Sequence, residues 1–169
     1  MQAYLGNAPS PAGPVAFAVN DEGALVGLRF VEGQYARSLD EELARDGYEM
    51  TYDEARTAHV RERLEEYAAG TRLDFDLPLA PRGTAWQRTV WQTLTEIPCG
   101  ETRSYAELAA MAGRPLAARA AGRANATNPI PLVIPCHRVI GADGSLTGYG
   151  GGLHIKERLL AHEARIAAR

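Results

Sequence analysis

Cysteine is scarce in this chain of 169 residues: only Cys99 and Cys136 occur, 37 positions apart. That scarcity excludes a disulfide framework and the paired spacings of structural zinc sites. No metal site and no cofactor are expected. No apolar run approaches the roughly 20 residues that cross a bilayer, so no membrane segment is expected. The first residues lack the basic-then-apolar order of a secretion signal. Together these predict a reduced, cytoplasmic protein. Lysine is almost missing: 17 of the 18 basic residues are arginine and Lys156 is the exception. A GC-rich genome alone gives such a bias, so it carries little functional weight. No Gly-Lys-Ser/Thr follows the glycine-rich run Gly148-Tyr149-Gly150-Gly151-Gly152, which excludes a phosphate cradle. There is no internal repeat.

The net charge of −3 speaks against nucleic acid, but its distribution does not. Residues 1–80 hold 7 Lys/Arg against 15 Asp/Glu, and residues 81–169 hold 11 against 6. An acidic half joined to a basic one, short of chance clustering, points to a basic working half.

The first half reads as a β-hairpin, Gly13 to Val19 and Ala24 to Phe30, turned by Asn20-Asp21-Glu22-Gly23. Residues 33–52 are poorly patterned, a loop with some helix. A helix is predicted over Asp53 to Ala69, capped by Asp53 and stopped by Gly70, with Val60, Leu64 and Tyr67 as its apolar stripe. Arg72 to Leu79 reads as extended, and Pro78 to Gly83 as a linker. In the second half, Thr84 with Gln87 and Ser104 with Glu107 are two capping boxes. The first opens a helix to about Glu96 with Trp86, Val90 and Leu94 buried. The second opens a short helix that turns at Gly113 into another, with Pro115 in its first turn. Two short helices joined by a glycine turn describe a helix-turn-helix. Prolines 129, 131 and 135 bar a helix from Asn128 to Ile134 and suggest an extended run. A last helix spans about Leu153 to Ala168. The expected fold is α+β: residues 1–78 as a small α/β domain with a short antiparallel sheet, and residues 79–169 as a mainly helical domain carrying the helix-turn-helix.

Residues 135–140 read PCHRVI. A free cysteine is often simply buried, but three prolines fix the backbone here where packing alone would not ask for it. Such a rigid bend after a strand presents a thiol with little freedom, as nucleophilic displacement rewards. Cys136 is therefore the candidate nucleophile and His137 its base; adjacent side chains rarely bond directly, so a bridging water is expected between them. Glu163 follows Leu159 by four and Leu160 by three residues, at the border of an apolar helix face. It is either a solvated rim carboxylate or the partner of His137 in a Cys-His-Glu relay. Arg119 stands among Ala117, Ala118, Ala120, Ala121 and Gly122, on a helix that can approach another surface closely. Arg123, one turn on, would meet phosphate if that surface is DNA. Tyr105 is either a core aromatic or a site residue. Cys99, His59, His154 and His162 have no matching constellation.

Residues 84–163 resemble the O6-alkylguanine-DNA alkyltransferases. The resemblance rests on SYAELA at 104–109, AARA at 117–120, NPIPLVIPCHRVIG at 128–141, and GYGGG followed by KERLLAHE at 156–163. SPAGPV at 10–15 is similar to the opening hairpin of bacterial members. The resemblance implies suicide repair of duplex DNA. A helix-turn-helix docks from the minor groove, the lesion is flipped out, and Cys136 takes the alkyl group from O6-alkylguanine, and from O4-alkylthymine, for good. It implies His137 as water-mediated base, Glu163 as its orienting carboxylate, Tyr105 as a donor to the purine, and Arg119 as the finger that fills the gap. Asn128 becomes a hinge to the active-site strand. Arg123, Ala118, Ala120, Tyr105 and Ser104 face DNA, and Tyr105, Val139, Tyr149, Gly150 and Gly151 line the pocket. A monomer, clustering along DNA, is expected. Gly150 departs from the serine of many members, keeping a backbone N–H on a looser loop. The alkyltransferase-like proteins, which sense lesions without repair, lack the cysteine that this chain has. A non-catalytic DNA binder and a cysteine hydrolase remain the alternatives from other classes.

Overall fold

The computed structural model describes residues 1–32, 38–149 and 152–169. Strands β1 (Gln2–Ala8), β2 (Val15–Val19) and β3 (Leu25–Phe30) form an antiparallel meander. Helix α1 (Leu39–Arg45) then leads to β4 (Glu49–Tyr52), which pairs parallel to β1 and completes the order β3-β2-β1-β4. The hairpin stands where the turn residues place it; Asn20 Oδ1 accepts from the Glu22 and Ala24 amides to form the turn. Strands β1 and β4 are additions to the sequence reading, and β4 turns an antiparallel sheet into a mixed one.

Alternation along β2 explains the two layers. Val15, Phe17 and Val19 enter the main core, whereas Ala18 enters a smaller cluster with Ala3, Leu5, Val26, Leu39 and Leu43 under α1. Helix α2 (Glu54–Ala69) covers the main face, capped by Asp53, whose carboxylate accepts from the Arg56 amide, and ended by Gly70 at φ 79°. Arg72 to Leu79 does not become a strand. Phe75 is buried but Leu73 is exposed, and only Leu79 bridges to Leu25.

The second half begins with α3 (Ala85–Leu94) and continues through β5 (Arg103–Ser104), α4 (Tyr105–Met111) and α5 (Ala118–Ala126). Both expected capping boxes form, at Thr84/Gln87 and Ser104/Glu107, each cap stabilising its helix by about 1 kcal/mol. Pro115 does not sit in the first turn of α5. It lies in a turn closed by Ala117 N–H to Arg114 C=O, and the helix starts at Ala118. Trp91 is the buried anchor of α3, its indole N–H donating to Ala124 C=O at 2.8 Å; Trp86 is only half-buried and donates to Ala120 C=O. Both indoles thus tie α3 to α5.

Residues 128–135 are a compact turn, not the extended run expected. Ile134 N–H bonds Ile130 C=O and Leu132 sits at φ 76°. Proline forbids helix but does not choose among the alternatives; here Asn128 does, its side chain accepting from Ile130 N–H and donating to Ile134 C=O. The chain passes through a single helical turn, Cys136–Arg138, into β6 (Val139–Ile140), which pairs with β5, and ends in α6 (Leu153–Ala167). The main core is continuous through both halves: Phe17, Leu64 and Tyr67 share it with Leu94, Ile130 and Leu159. Among the described residues no helix is long and apolar enough to cross a membrane.

Candidate active site

Cys136 lies before a strand rather than after one, on the helical turn, and is almost wholly buried. Its backbone is held by local bonds: Cys136 N–H reaches Ile134 C=O and Arg138 N–H reaches Pro135 C=O. The N-terminal sheet braces the approach to this turn. Leu28 N–H donates to Pro129 C=O at 3.0 Å, and Arg29, paired with Glu42, donates to the same carbonyl at 3.1 Å. Asn128 sits inside this turn, its side chain bonded to Ile130 N–H and Ile134 C=O, and β6 follows the thiol rather than leading to it.

Burial pushes the Cys136 thiol up, an effect only partly offset by Asn128, Lys156 and Tyr149 close by. Lys156, the lone lysine, is fully buried and its ammonium donates to Val139 C=O at 2.6 Å and Thr147 C=O at 3.1 Å. Its pKa is lowered by burial, with the nearby sulfur pulling the other way. The Tyr149 hydroxyl is buried with no hydrogen-bond partner among the described residues, and burial beside Cys136 raises it well above the usual phenol value. The ring meets Phe30 of β3 edge-on at 6.5 Å.

His137 is fully buried and its Nε2 lies 2.7 Å from Glu163 Oε1. The expected pair is present, and Glu163 is no rim carboxylate: it is 1% exposed. With Nε2–H on the carboxylate, Nδ1 is the ring atom that can take a proton, and it has no hydrogen-bond partner among the described residues. Burial lowers the His137 pKa although Glu163 opposes it. Burial would raise the Glu163 carboxyl, but bonds from His137 and Arg138 outweigh it and hold the group well below the carboxylate range. With the imidazole neutral, the charge responsible is Arg138. Its guanidinium grips Glu163 in a fork, Nε to Oε2 at 2.9 Å and Nη2 to Oε1 at 2.8 Å, while Nη1 donates to Ile97 C=O. A fourth donor, the Tyr67 hydroxyl, reaches Glu163 Oε1 at 2.7 Å from α2.

The resting arrangement is thus a neutral thiol, a neutral imidazole and an anionic carboxylate. A buried thiolate-imidazolium pair is disfavoured until something stabilises the charge that develops. Sequence reasoning missed Arg138, Lys156 and Tyr67. Arg138 adjoins His137 in the motif and Lys156 is unique in composition, so each left a signal; Tyr67 left none beyond its place on the α2 stripe.

The helix pair stands beside the thiol. Tyr105 opens α4 half-buried, its hydroxyl 2.7 Å from Thr147 Oγ1. Gly122 of α5 faces that ring, where a Cβ would stand 3.4 Å from Tyr105 Cδ1, in ordinary van der Waals contact, so the two helices pack closely here. Arg119 and Arg123 project into solvent one turn apart on α5, with Ala118 and Ala120 partly exposed between turns. Ser104, partly exposed, uses its oxygen as the α4 cap, accepting from Glu107 N–H. Val139 is fully buried behind the thiol turn. Gly150 and Gly151, expected to line the pocket, lie outside the described residues.

A buried thiol with a histidine-carboxylate pair, set beside a helix-turn-helix on a mixed α/β body, defines a class of nucleic-acid-facing proteins with a reactive cysteine. Residues 85–165 match the family model for the 6-O-methylguanine DNA methyltransferase DNA-binding domain. A Methanosarcina barkeri methylated-DNA–protein-cysteine methyltransferase is 47% identical over 91% of this chain and 92% of its own length. One from Mycolicibacterium paratuberculosis is 49% identical over 92% and 89%. The crystal structure of Mycobacterium tuberculosis OGT in complex with DNA superposes with a TM-score of 0.80 at 40% identity, covering 98% of this chain and 94% of that one. The chain belongs to the methylated-DNA–protein-cysteine methyltransferase family.

Proposed function

We propose that this protein repairs duplex DNA by moving an alkyl group from the O6 of guanine, and from the O4 of thymine, onto Cys136 in one irreversible turnover. The observation that carries this reading is the buried Cys136 thiol beside a His137-Glu163 pair joined at 2.7 Å, in a chain of this family. The S–C bond forms as the C–O6 bond breaks, and the electron pair goes to the purine. The thiol proton leaves through a bridging water to His137 Nδ1, while Glu163 holds the opposite nitrogen. Tyr105 donates to the purine as its charge grows, which is where a donor contributes most. The product is a thioether, so no step regenerates the thiol and no cofactor is needed.

The helix-turn-helix binds from the minor groove. Ala118 and Ala120 let α5 come close, Arg119 fills the space of the flipped nucleotide, and Arg123 and Ser104 meet the backbone. Flipping costs a few kcal/mol, least for a damaged pair. Tyr105, Val139, Tyr149 and the backbone at Gly150 and Gly151 line the pocket. Residues 79–169 form the DNA-binding and transfer domain, a division supported by the match to 85–165, and residues 1–78 a supporting α/β domain. The protein acts as a monomer and copies cluster along the duplex.

The test is mass spectrometry after incubation with duplex DNA containing O6-methylguanine. The Cys136 peptide should gain one CH2 unit per chain in a single burst, and Cys136→Ser should bind the duplex without any gain. An unmodified peptide with the lesion intact refutes the reading. Binding with no mass change would mark a sensor, and multiple turnovers a hydrolase.

A further inference from the structure

The hydrogen bond from Tyr67 to Glu163 crosses 96 positions of sequence, from the acidic half to the transfer site. The ring is fully buried, tilted against Phe75 at 4.8 Å and edge-on to His162 at 5.1 Å. His162 Nε2 also bonds Tyr67 C=O at 2.7 Å, so the neighbour of Glu163 in sequence clamps the backbone of the residue that donates to it. Such a ring cannot swing away without breaking the core, and its hydroxyl is aimed by packing rather than by chance. Glu163 Oε1 accepts from Tyr67, His137 and Arg138 at once.

We propose that Tyr67 is a positioning residue of the relay: its hydroxyl takes up part of the Glu163 charge, so that the carboxylate orients His137 without drawing a second proton onto the ring. This inference rests on the alkyl-transfer reading above. A donor on Oε1 competes with Nε2–H for the same electron density and weakens the pull toward imidazolium. Arg138 acts in the same direction with full charge. Among the described residues, the titratable and charged groups around His137 and its carboxylate are Glu163 and Lys156 from α6, Cys136 and Arg138 from its own turn, Tyr67 from α2, and Tyr149 from the loop before α6. Cys99 lies beyond the Arg138-Glu163 pair, its thiol pushed up to about 11 by burial and by Glu163. A base must be neutral to accept the thiol proton, so tempering Glu163 sets the lowest pH at which the relay works.

The test is Tyr67→Phe, which keeps the ring and removes the donor. NMR titration of the His137 ring in DNA-free protein should find its midpoint raised by about half a pH unit, roughly a threefold change in the neutral fraction below it. The rate of transfer from O6-methylguanine duplex should fall severalfold on the acid limb and rejoin wild type at high pH. An unmoved midpoint, or an equal loss at every pH, overturns the proposal and leaves Tyr67 a packing residue. Should the Phe variant fail to fold, 3-fluorotyrosine at position 67, a stronger donor, must lower the midpoint, and no movement overturns the proposal. The titration needs no transfer reaction: were wild-type Cys136 to accept no alkyl group, the functional reading would fall while the ring titration still judged Tyr67.

Discussion

His137 Nε2 and Glu163 Oε1 lie 2.7 Å apart with both side chains shut off from solvent. A histidine so placed is fixed in tautomer and in orientation, which leaves Nδ1, without a hydrogen-bond partner among the described residues, as the atom that can take a proton. The carboxylate is in turn fixed by Arg138, so the imidazole is aimed by a rigid ion pair rather than by a mobile side chain.

Replacing Glu163 by Gln removes the charge that Arg138 was buried against. Breaking one side of a buried pair costs about 3–5 kcal/mol. Urea unfolding should register that loss, and transfer from O6-methylguanine duplex should slow by about 10²-fold as the base loses its orienting anion. Wild-type stability in Glu163→Gln would argue that solvent reaches the pair.

Acid should destabilise the fold in two stages. Both His137 and Glu163 have folded pKa values below their ordinary ones of 6.5 and 4.5. The unfolded chain therefore binds more protons than the folded chain as pH falls. The contribution of these two groups is complete above about pH 6.5, declines as the unfolded histidine titrates, and declines further below about 4.5. Thermal melting against pH checks this, and His137→Gln should erase the first stage while leaving the second.

Arg119→Ala should slow repair in duplex DNA far more than reaction with free O6-benzylguanine, which needs no flipped nucleotide. Equal losses on both would remove the finger role. Arg123→Gln should instead weaken duplex binding at all sequences and reduce the slope of log affinity against log salt by about one. Fluorescence anisotropy over a salt series measures it.

Lys156→Met should act at a distance from any DNA. It strands the buried Val139 carbonyl at a cost of about 1–3 kcal/mol, releases the Thr147 carbonyl to solvent, and removes a positive charge that favours the Cys136 thiolate. Urea unfolding should shift, and the rate of transfer should fall with its thiol-dependent limb displaced to higher pH. A variant with unchanged pH dependence would confine Lys156 to holding the loop.

The parts of the fold legible in sequence are those written in short-range contacts. Thr84 with Gln87 and Ser104 with Glu107 satisfy each other's backbone within one turn, so the starts of α3 and α4 needed no tertiary knowledge. Asp53 and Gly70 bound α2 for the same reason. Strand β4 was not legible, because its four residues are mostly exposed at the sheet edge and carry no burial pattern. Of the site, Cys136, His137 and Glu163 were legible as chemistry, and the ring-to-carboxylate contact as a possibility.

By itself, then, the chain determined which groups could react: one thiol beside one imidazole in a proline-framed bend, and a carboxylate on the last helix. Only the tertiary structure decided their state. Three-dimensional packing bent residues 128–135 into a turn instead of a strand, because Asn128 and the edge of β3 supplied partners that prolines merely permitted. It also brought Tyr67, Arg138 and Lys156 around the site. Protonation depends on burial and on charges remote in sequence, which local patterns do not encode.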